Sequence, residues 1–297
     1  MRLDRGATGI GLYRTEFLYL SSDDEPSEDD HYNAYRQVIE AMGKRPVVIR
    51  TLDLGADKMG SRPLTEPEPN PFLGLRSIRL SLKTPDLFRP QLRAILRAAV
   101  HGDVRIMFPL ITTLGELRQA KMLIKIIAED LAEEGIAHRC DMPIAMMVEV
   151  PAAVLMLDRF VKEVDFLSIG TNDLVQYTLA VDRSNEYVAD LYQSSDPAVL
   201  RLIEHCVRVA DGDAIPLGIC GEMSSNPARA MLLLGMGVRS LSVSPNALPK
   251  IKKAIRSVSI EQCRSIAQRA MTLDAARDVD LYLLERLSKL APELIVS

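Results

Sequence analysis

The chain has 297 residues, of which 47% are hydrophobic and 26% are charged, an ordinary composition for a globular protein with a sizeable core. Its 36 lysines and arginines are outnumbered by 40 aspartates and glutamates, and the resulting net charge of −4 argues against a nucleic-acid partner. No apolar run approaches the roughly 18–20 residues of a membrane span, so we expect no membrane partner either.

The cysteines and the first residues bear on the compartment. The four cysteines are far apart and form no CxxC pair, which argues against a disulfide framework or a zinc site. The opening MRLDRGATGIG also lacks the apolar stretch of a secretory signal. We therefore expect a cytoplasmic protein in a reducing environment.

Short apolar runs alternate with longer amphipathic stretches through most of the chain. The runs predict seven buried strands, at residues 9–13, 46–54, 104–111, 143–150, 166–170, 215–220 and 240–244. A short eighth strand is predicted at Phe72–Leu75. This alternation predicts an α/β fold, and a (β/α)8 TIM barrel is favoured over an open doubly wound sheet.

Capping residues mark several of the helices between these strands. Thr113 and Glu116 have the spacing of a capping box, and Asp196-Pro197 and Asn226-Pro227 each place a capping residue before a proline. The histidines are interpreted as ordinary surface or capping residues, and none is placed to accept a phosphoryl group: His31, His101, His138 and His205.

The strand pattern stops after Ser257, and the rest of the sequence predicts helices. We therefore expect a barrel over residues 1–257 and a C-terminal helical extension over residues 258–297, packed on the barrel or on a dimer partner. A leucine stripe in this extension favours such packing, and its members are Leu281, Leu283, Leu284, Leu287 and Leu290.

Arginines stand at the ends of three predicted strands, where parallel α/β folds bind their ligands. They are Arg14, Arg50 and Arg76, and a GADK segment with Lys58 follows the second strand. A single arginine in such a place is more often part of a surface ion pair than a ligand. Three guanidinium groups at one mouth repel one another unless an anion joins them, and arginine suits phosphate and carboxylate groups.

Further polar residues end the later strands. Glu149 and Asp173 are carboxylates about one βα unit apart, and Cys220 ends another apolar run. A lone cysteine there more often packs in the core, but two carboxylates of this kind suit Mg²⁺ with substrate oxygens. Together with the arginines, they predict a pocket for a small phosphorylated carboxylic acid and a divalent metal ion.

Six segments of the sequence match, in order, the motifs of one family. They are GIGLYRTEFLYL, VIRTLDLGADK, NPFLGLRSIR, MMVEVPAA, IGTNDLVQYTLAVDR and GICGE. Together they resemble the phosphoenolpyruvate-binding barrel of enzyme I of the bacterial sugar phosphotransferase system over nearly the whole chain. Pyruvate phosphate dikinase and phosphoenolpyruvate synthase share the barrel, but YRTEFLY and VQYTLAVDR are more similar to enzyme I.

The resemblance implies transfer of a phosphoryl group from phosphoenolpyruvate to a histidine, with Mg²⁺ or Mn²⁺ as cofactor and pyruvate as product. The residues that match the family's motifs are Arg14, Arg50, Asn172, Asp173 and Arg183 for substrate, Glu149 and Asp173 for metal, Arg76 as a further active-site arginine and Cys220 as the proton donor. These assignments come from the resemblance and agree with the strand-end pattern.

The resemblance also implies partners. Enzyme I carries an N-terminal phosphohistidine domain and a domain that binds the histidine phosphocarrier protein, and it dimerises through this barrel. Because neither domain is recognised in this sequence, we expect an isolated C-terminal domain that forms a homodimer. Two alternatives stay open: the barrel of a dikinase or phosphoenolpyruvate synthase, and a non-catalytic module for phosphoenolpyruvate sensing or dimerisation, which would not need Cys220.

Overall fold

A computed structural model describes residues 5–20, 24–55 and 68–295. The chain divides into two compact units, an N-terminal unit of Thr8–Met147 and a C-terminal unit of Val148–Ser297 with Met1–Ala7. None of the described helices has the length and apolar character needed to cross a membrane. The GADK segment with Lys58 lies outside the described residues.

The N-terminal unit is built on parallel strands that pair in chain order. They are β1 (Ile10–Tyr13), β2 (Val47–Arg50), β3 (Val104–Phe108) and β4 (Ile144–Val148), the last of which ends one residue into the C-terminal unit. The helices are α1 (Glu16–Leu20), α2 (Glu28–Met42), α3 (Ser77–Lys83), α4 (Pro85–Ala98) and α5 (Leu114–Glu133). All four side chains of β2 are buried, as expected for a strand covered on both faces.

The C-terminal unit continues the same pattern with three parallel strands. They are β5 (Phe166–Gly170), β6 (Leu217–Cys220) and β7 (Ser240–Leu241). The helices are α6 (Pro151–Leu155), α7 (Leu157–Phe160), α8 (Thr171–Leu179), α9 (Pro197–Gly212), α10 (Pro227–Met236), α11 (Leu248–Arg256), α12 (Ile260–Ala270) and α13 (Ala276–Leu290). Parallel strands in chain order with helices between them confirm the predicted α/β fold of the TIM-barrel type.

The predicted eighth strand at Phe72–Leu75 is wrong. Residues Pro71–Leu73 form a short 3₁₀ helix, because proline suits the first helical position and has no N–H for a sheet ladder. The described residues therefore contain seven strands. Near this segment, Gly55 and Arg76 form an isolated antiparallel bridge.

The predicted helix caps are confirmed. Thr113 Oγ1 accepts the N–H of Glu116 at 3.2 Å, and a carboxylate oxygen of Glu116 accepts the N–H of Thr113 at 2.8 Å. Asp196 and Asn226 likewise accept backbone N–H groups in the first turns of α9 and α10. These caps fix the point at which each strand-to-helix connection ends.

The terminal segment is helical, as predicted, and packs on its own unit. Helices α12 and α13 both contact α10, and a Cβ atom at Gly235 of α10 would lie 2.0 Å from the carbonyl oxygen of Cys263. Leu283 and Leu287 of α13 are buried, whereas Leu281 and Leu284 are half exposed. The leucine stripe therefore covers two faces of α13. The division into residues 1–257 and 258–297 stays a prediction.

Candidate active site

The N-terminal unit holds five charged residues of alternating sign near the ends of β1 and β2. Arg14 Nε donates to Glu16 at 3.3 Å, and Arg50 Nη2 donates to the other oxygen of Glu16 at 2.7 Å. Arg50 Nη1 lies 2.9 Å from Asp53, whose second oxygen accepts from Arg76 Nη2 at 2.9 Å. We call these five residues the arginine cluster: Arg14, Glu16, Arg50, Asp53 and Arg76.

The arginine cluster is charged and largely buried. Burial raises the pKa of Asp53, but the charges of Arg50 and Arg76 outweigh it and bring the pKa down to about 2. The side chain of Arg50 is 7% exposed, whereas that of Arg14 is 57% exposed. Because three guanidinium groups face two carboxylates, the cluster keeps an excess of one positive charge, which favours an anion.

A buried glutamine on α4 fixes the two turns that carry these arginines. Gln91 Oε1 accepts the N–H of Leu52 at 3.0 Å, and its Nε2 donates to Thr15 Oγ1 at 3.2 Å. Thr15 Oγ1 in turn donates to the carbonyl oxygen of Arg50 at 3.0 Å. Gln91 was not predicted from the sequence, although a polar residue between Phe88 and Leu92 on the buried face of an amphipathic helix was a usable signal.

The C-terminal unit holds the predicted carboxylates. Glu149 directly follows β4 and Asp173 lies in the first turn of α8, and both side chains are buried. Arg183 Nη2 lies 3.9 Å from Asp173 Oδ1, so this arginine faces a candidate metal ligand. Glu149 directly follows β4, and Asp173 lies three residues beyond the end of β5.

The side chain of Asn172 is oriented by its neighbours. Its Oδ1 accepts the N–H of Glu222 at 3.0 Å, which leaves the amide nitrogen to donate to a ligand. Gly221 makes this approach feasible: its φ is +108°, and a Cβ atom there would lie 2.8 Å from Asn172 Oδ1 and 2.2 Å from Thr171 Oγ1.

Cys220 is buried at the end of β6 and hydrogen-bonded through its sulfur. Its Sγ accepts from Ser168 Oγ at 3.5 Å and donates to the carbonyl oxygen of Ile169 at 3.5 Å. Thr171 Oγ1 donates to the carbonyl oxygen of Cys220 at 2.9 Å. The bond to Ile169 uses the thiol proton.

The donor set fits a hard divalent cation that binds together with its substrate. The described residues contain no group of three or more histidine, cysteine, aspartate or glutamate side chains that could hold a metal by themselves. Mg²⁺ commonly takes one or two protein carboxylates and completes its shell with substrate oxygens and water. Glu149 and Asp173 are two such carboxylates.

The predicted site residues thus fall into two groups, one in each unit. Arg14, Arg50 and Arg76 belong to the N-terminal unit, and the C-terminal unit holds Glu149, Asn172, Asp173, Arg183 and Cys220. Charged side chains at the carboxyl ends of parallel strands are characteristic of TIM-barrel enzymes that act on small anions.

Comparison with known proteins identifies the family. The family described as "PEP-utilising enzyme, PEP-binding domain" matches residues 1–260, and this chain belongs to that family. Proteins named phosphoenolpyruvate-protein phosphotransferase from Geobacillus stearothermophilus and Staphylococcus aureus are 47% and 45% identical to it over 277 residues. Each alignment covers 93% of this chain and 48% of the relative, so the chain spans about half the length of the curated relatives it matches.

The resemblance inferred from the six motifs is therefore confirmed at the level of the family. Among solved structures, a malate synthase from Haloferax volcanii matches 77% of this chain and 60% of its own at 12% identity, with a TM-score of 0.49. That likeness is too distant to bear on function.

Proposed function

We propose that this chain is the phosphoenolpyruvate-binding part of a phosphoenolpyruvate-protein phosphotransferase. It binds phosphoenolpyruvate with Mg²⁺ or Mn²⁺ and supports phosphoryl transfer to a histidine of an N-terminal domain, with release of pyruvate. The arginine cluster carries the proposal, because its excess positive charge at strand ends suits a phosphorylated acid. The 47% identity of this chain to a relative of that name also supports it.

Each residue has a proposed role toward one substrate molecule. Arg14, Arg50 and Arg183 bind the phosphate with Asn172, and Arg76 acts as a further active-site arginine through the cluster. These donors stabilise negative charge on the equatorial phosphate oxygens as the phosphoryl group leaves.

The proposed reaction breaks the bond between phosphorus and the enol oxygen and forms one between phosphorus and a histidine nitrogen. The enolate that departs takes a proton on its terminal carbon from the Cys220 thiol, which gives pyruvate and leaves a thiolate that recovers a proton from solvent. Glu149 and Asp173 would hold Mg²⁺, and the ion would supply charge neutralisation at the phosphate.

The proposal extends to partners and location. The histidine belongs to an N-terminal phosphohistidine domain, which passes the group to the histidine phosphocarrier protein. We also propose a cytoplasmic homodimer, supported by the half-exposed Leu281 and Leu284 and by four cysteines that form no disulfide in the described residues. A dikinase barrel is the second candidate, and the sequence that flanks this chain in its genome would distinguish the two.

Phosphoenolpyruvate binding is expected to require the metal. In calorimetry, EDTA should weaken the affinity at least about tenfold, because Glu149 and Asp173 would then face phosphate oxygens as bare like charges. The Glu149→Gln variant should lose most of this metal dependence, and Glu129→Gln, at an exposed position of α5, should keep it. Equal affinity with and without EDTA would contradict the assigned metal ligands.

The thiol prediction separates binding from chemistry. Cys220→Ala should leave phosphoenolpyruvate affinity nearly unchanged and slow pyruvate formation about a hundredfold when a phosphohistidine domain is supplied in trans, since general acids contribute on that order. Cys206→Ala is the matched control: burial raises the pKa of that thiol on α9 to about 12, away from any strand end. Wild-type single-turnover rates in Cys220→Ala would show that Cys220 is a packing residue.

A further inference from the structure

Helix α13 is hydrogen-bonded to the end of the loop that joins α8 to α9. Ser195 is fully buried there, and its Oγ donates to Asp280 of α13 at 2.5 Å. Arg229 of α10 donates from Nε to Ser195 Oγ at 3.0 Å and from Nη2 to both oxygens of Asp280 at 3.1 Å. We call these three residues the Asp280 latch.

The same loop carries side chains of the candidate site. It begins near Arg183, and further along it the Tyr192 hydroxyl donates to the carbonyl oxygen of Asn172 at 2.9 Å. Burial raises the pKa of Tyr192 to about 12, although the charge of Arg183 acts in the opposite direction. Tyr192 therefore stays protonated and donates to Asn172, and it lies three residues before Ser195.

The rest of the loop has little to hold it in place. Its backbone bonds are short-range, such as Val188 N–H to Asn185 and Leu191 N–H to Val188, and Tyr187 is 95% exposed. Beside the loop lies a cavity of about 390 Å³, which is lined by loop residues together with Arg229 and Asp280. Segments with few buried contacts open at low free-energy cost.

We propose that Asp280 is a positioning residue for substrate binding. Through Ser195 and Arg229 it holds the loop so that Arg183 and Tyr192 stay beside Asn172 and Asp173. The inference rests on the proposed phosphoenolpyruvate site and adds a role for α13, which lies beyond residue 260, where the family match ends. Helix α13 thereby contributes to substrate binding.

The size of the effect follows from the population of the held loop. The side chains of Arg229 and Asp280 are 25% and 39% exposed, and an ion pair so exposed adds little to global stability, so variants should fold. Apparent affinity falls in proportion to the fraction of molecules that are competent to bind. If Asp280→Ala leaves the loop in place in a tenth of the molecules, phosphoenolpyruvate binds about tenfold more weakly.

The test combines calorimetry with hydrogen exchange. Phosphoenolpyruvate is titrated with Mg²⁺ into wild type, Asp280→Ala, Asp280→Asn and Ser195→Ala, and amide exchange is followed across residues 183–195. Asp280→Ala and Ser195→Ala should bind about tenfold more weakly and exchange faster in this loop. Asp280→Asn should lie between them and wild type, because its amide oxygen still accepts from Ser195.

Asp278→Ala is the matched control, since it removes an equal charge from an exposed position two residues earlier on α13. If Asp280→Ala equals Asp278→Ala in both affinity and loop exchange, the inference is overturned. If wild type does not bind phosphoenolpyruvate at all, the proposed function fails, and the exchange data alone then decide on the latch: unchanged loop exchange in Asp280→Ala overturns it, and faster exchange upholds the holding role.

Discussion

Replacing Arg50 with methionine is expected to weaken phosphoenolpyruvate binding about a hundredfold and to lower the free energy of unfolding by about 3 kcal/mol. Arg50 bonds both Glu16 and Asp53 at 2.7 and 2.9 Å, and all three side chains are buried. Methionine keeps the volume but leaves two buried carboxylates without a shared partner. Loss of one member of a buried ion pair is costly because the other charge stays desolvated.

Arg14→Met is the control that separates the two effects. Arg14 also belongs to the arginine cluster, but its side chain is 57% exposed and bonds Glu16 at 3.3 Å. The Arg14→Met variant should bind phosphoenolpyruvate more weakly. Its free energy of unfolding should change by less than about 1 kcal/mol, since exposed ion pairs contribute little. Calorimetry with Mg²⁺ and urea denaturation measure the two quantities.

A second variant makes the explanation for stability testable. Combining Arg50→Met with Glu16→Gln removes one of the two buried carboxylate charges that lose Arg50, so the double variant should recover part of the stability and none of the affinity. A double variant no more stable than Arg50→Met would contradict the buried-charge explanation. Wild-type affinity in Arg50→Met would remove Arg50 from the binding site.

The strands were predictable because apolar runs indicate burial. Their ends were less predictable, because a buried residue need not pair with a neighbouring strand. The run at 46–54 predicts one long strand, yet β2 ends at Arg50. Leu52 stays fully buried beyond that point, with its N–H bonded to a side chain instead of a neighbouring strand. The shorter strand is what allows Arg50 and Asp53 to occupy a turn and share contacts.

The position of these charged residues at strand ends was predictable, and their partners were not. Arg14 and Glu149 directly follow β1 and β4, Arg50 ends β2, and Asp173 lies three residues after β5. The residues that hold them in place are distant in sequence: Gln91 bonds Thr15 across 76 positions, and Asp280 bonds Ser195 across 85. Such pairs leave no local pattern in the chain.

His31 is a residue whose burial was not predicted from the sequence. It follows the acidic run DDEPSEDD and was interpreted as a surface or capping residue, but its side chain is buried in the N-terminal unit. The first turn of α2 faces solvent through its acidic residues, whereas His31 lies on the face that packs inward with Tyr35 and Ile39. Helical spacing, rather than local polarity, was the usable signal.

The hydrogen bonds around His31 suit a neutral imidazole. Gln91 Nε2 donates to the Tyr35 hydroxyl at 3.3 Å, and that hydroxyl lies 2.9 Å from His31 Nδ1. An unprotonated Nδ1 accepts the proton of the Tyr35 hydroxyl, while the hydroxyl oxygen accepts from Gln91. Burial accordingly lowers the pKa of His31 to about 4, and the opposing charge of Asp30 does not restore it.

The protein is therefore expected to lose stability as the pH falls below 6.5. A histidine whose folded pKa lies below its ordinary value takes up its proton first in the unfolded chain, so its contribution is complete above pH 6.5 and is lost as the pH falls toward 4. The full loss is about 3 kcal/mol, of which about 2 kcal/mol falls between pH 7 and pH 5. Asp53, whose pKa is lowered from 3.8 to about 2, acts in a separate and more acidic window.

Urea denaturation at pH 7, 6 and 5 tests this assignment. His31→Gln keeps an acceptor for Tyr35 and removes the titrating group, so its free energy of unfolding should change by about 2 kcal/mol less than that of wild type over this range. His205→Gln, on α9 in the other unit, should retain the wild-type slope, because His205 is partly exposed and bonds Arg208 at the surface. The slope is compared rather than the absolute stability, because the glutamine itself shifts every value of the variant by the same amount. An unchanged slope in His31→Gln would mean that other groups take up the proton, and a reduced slope in His205→Gln would place it in the C-terminal unit.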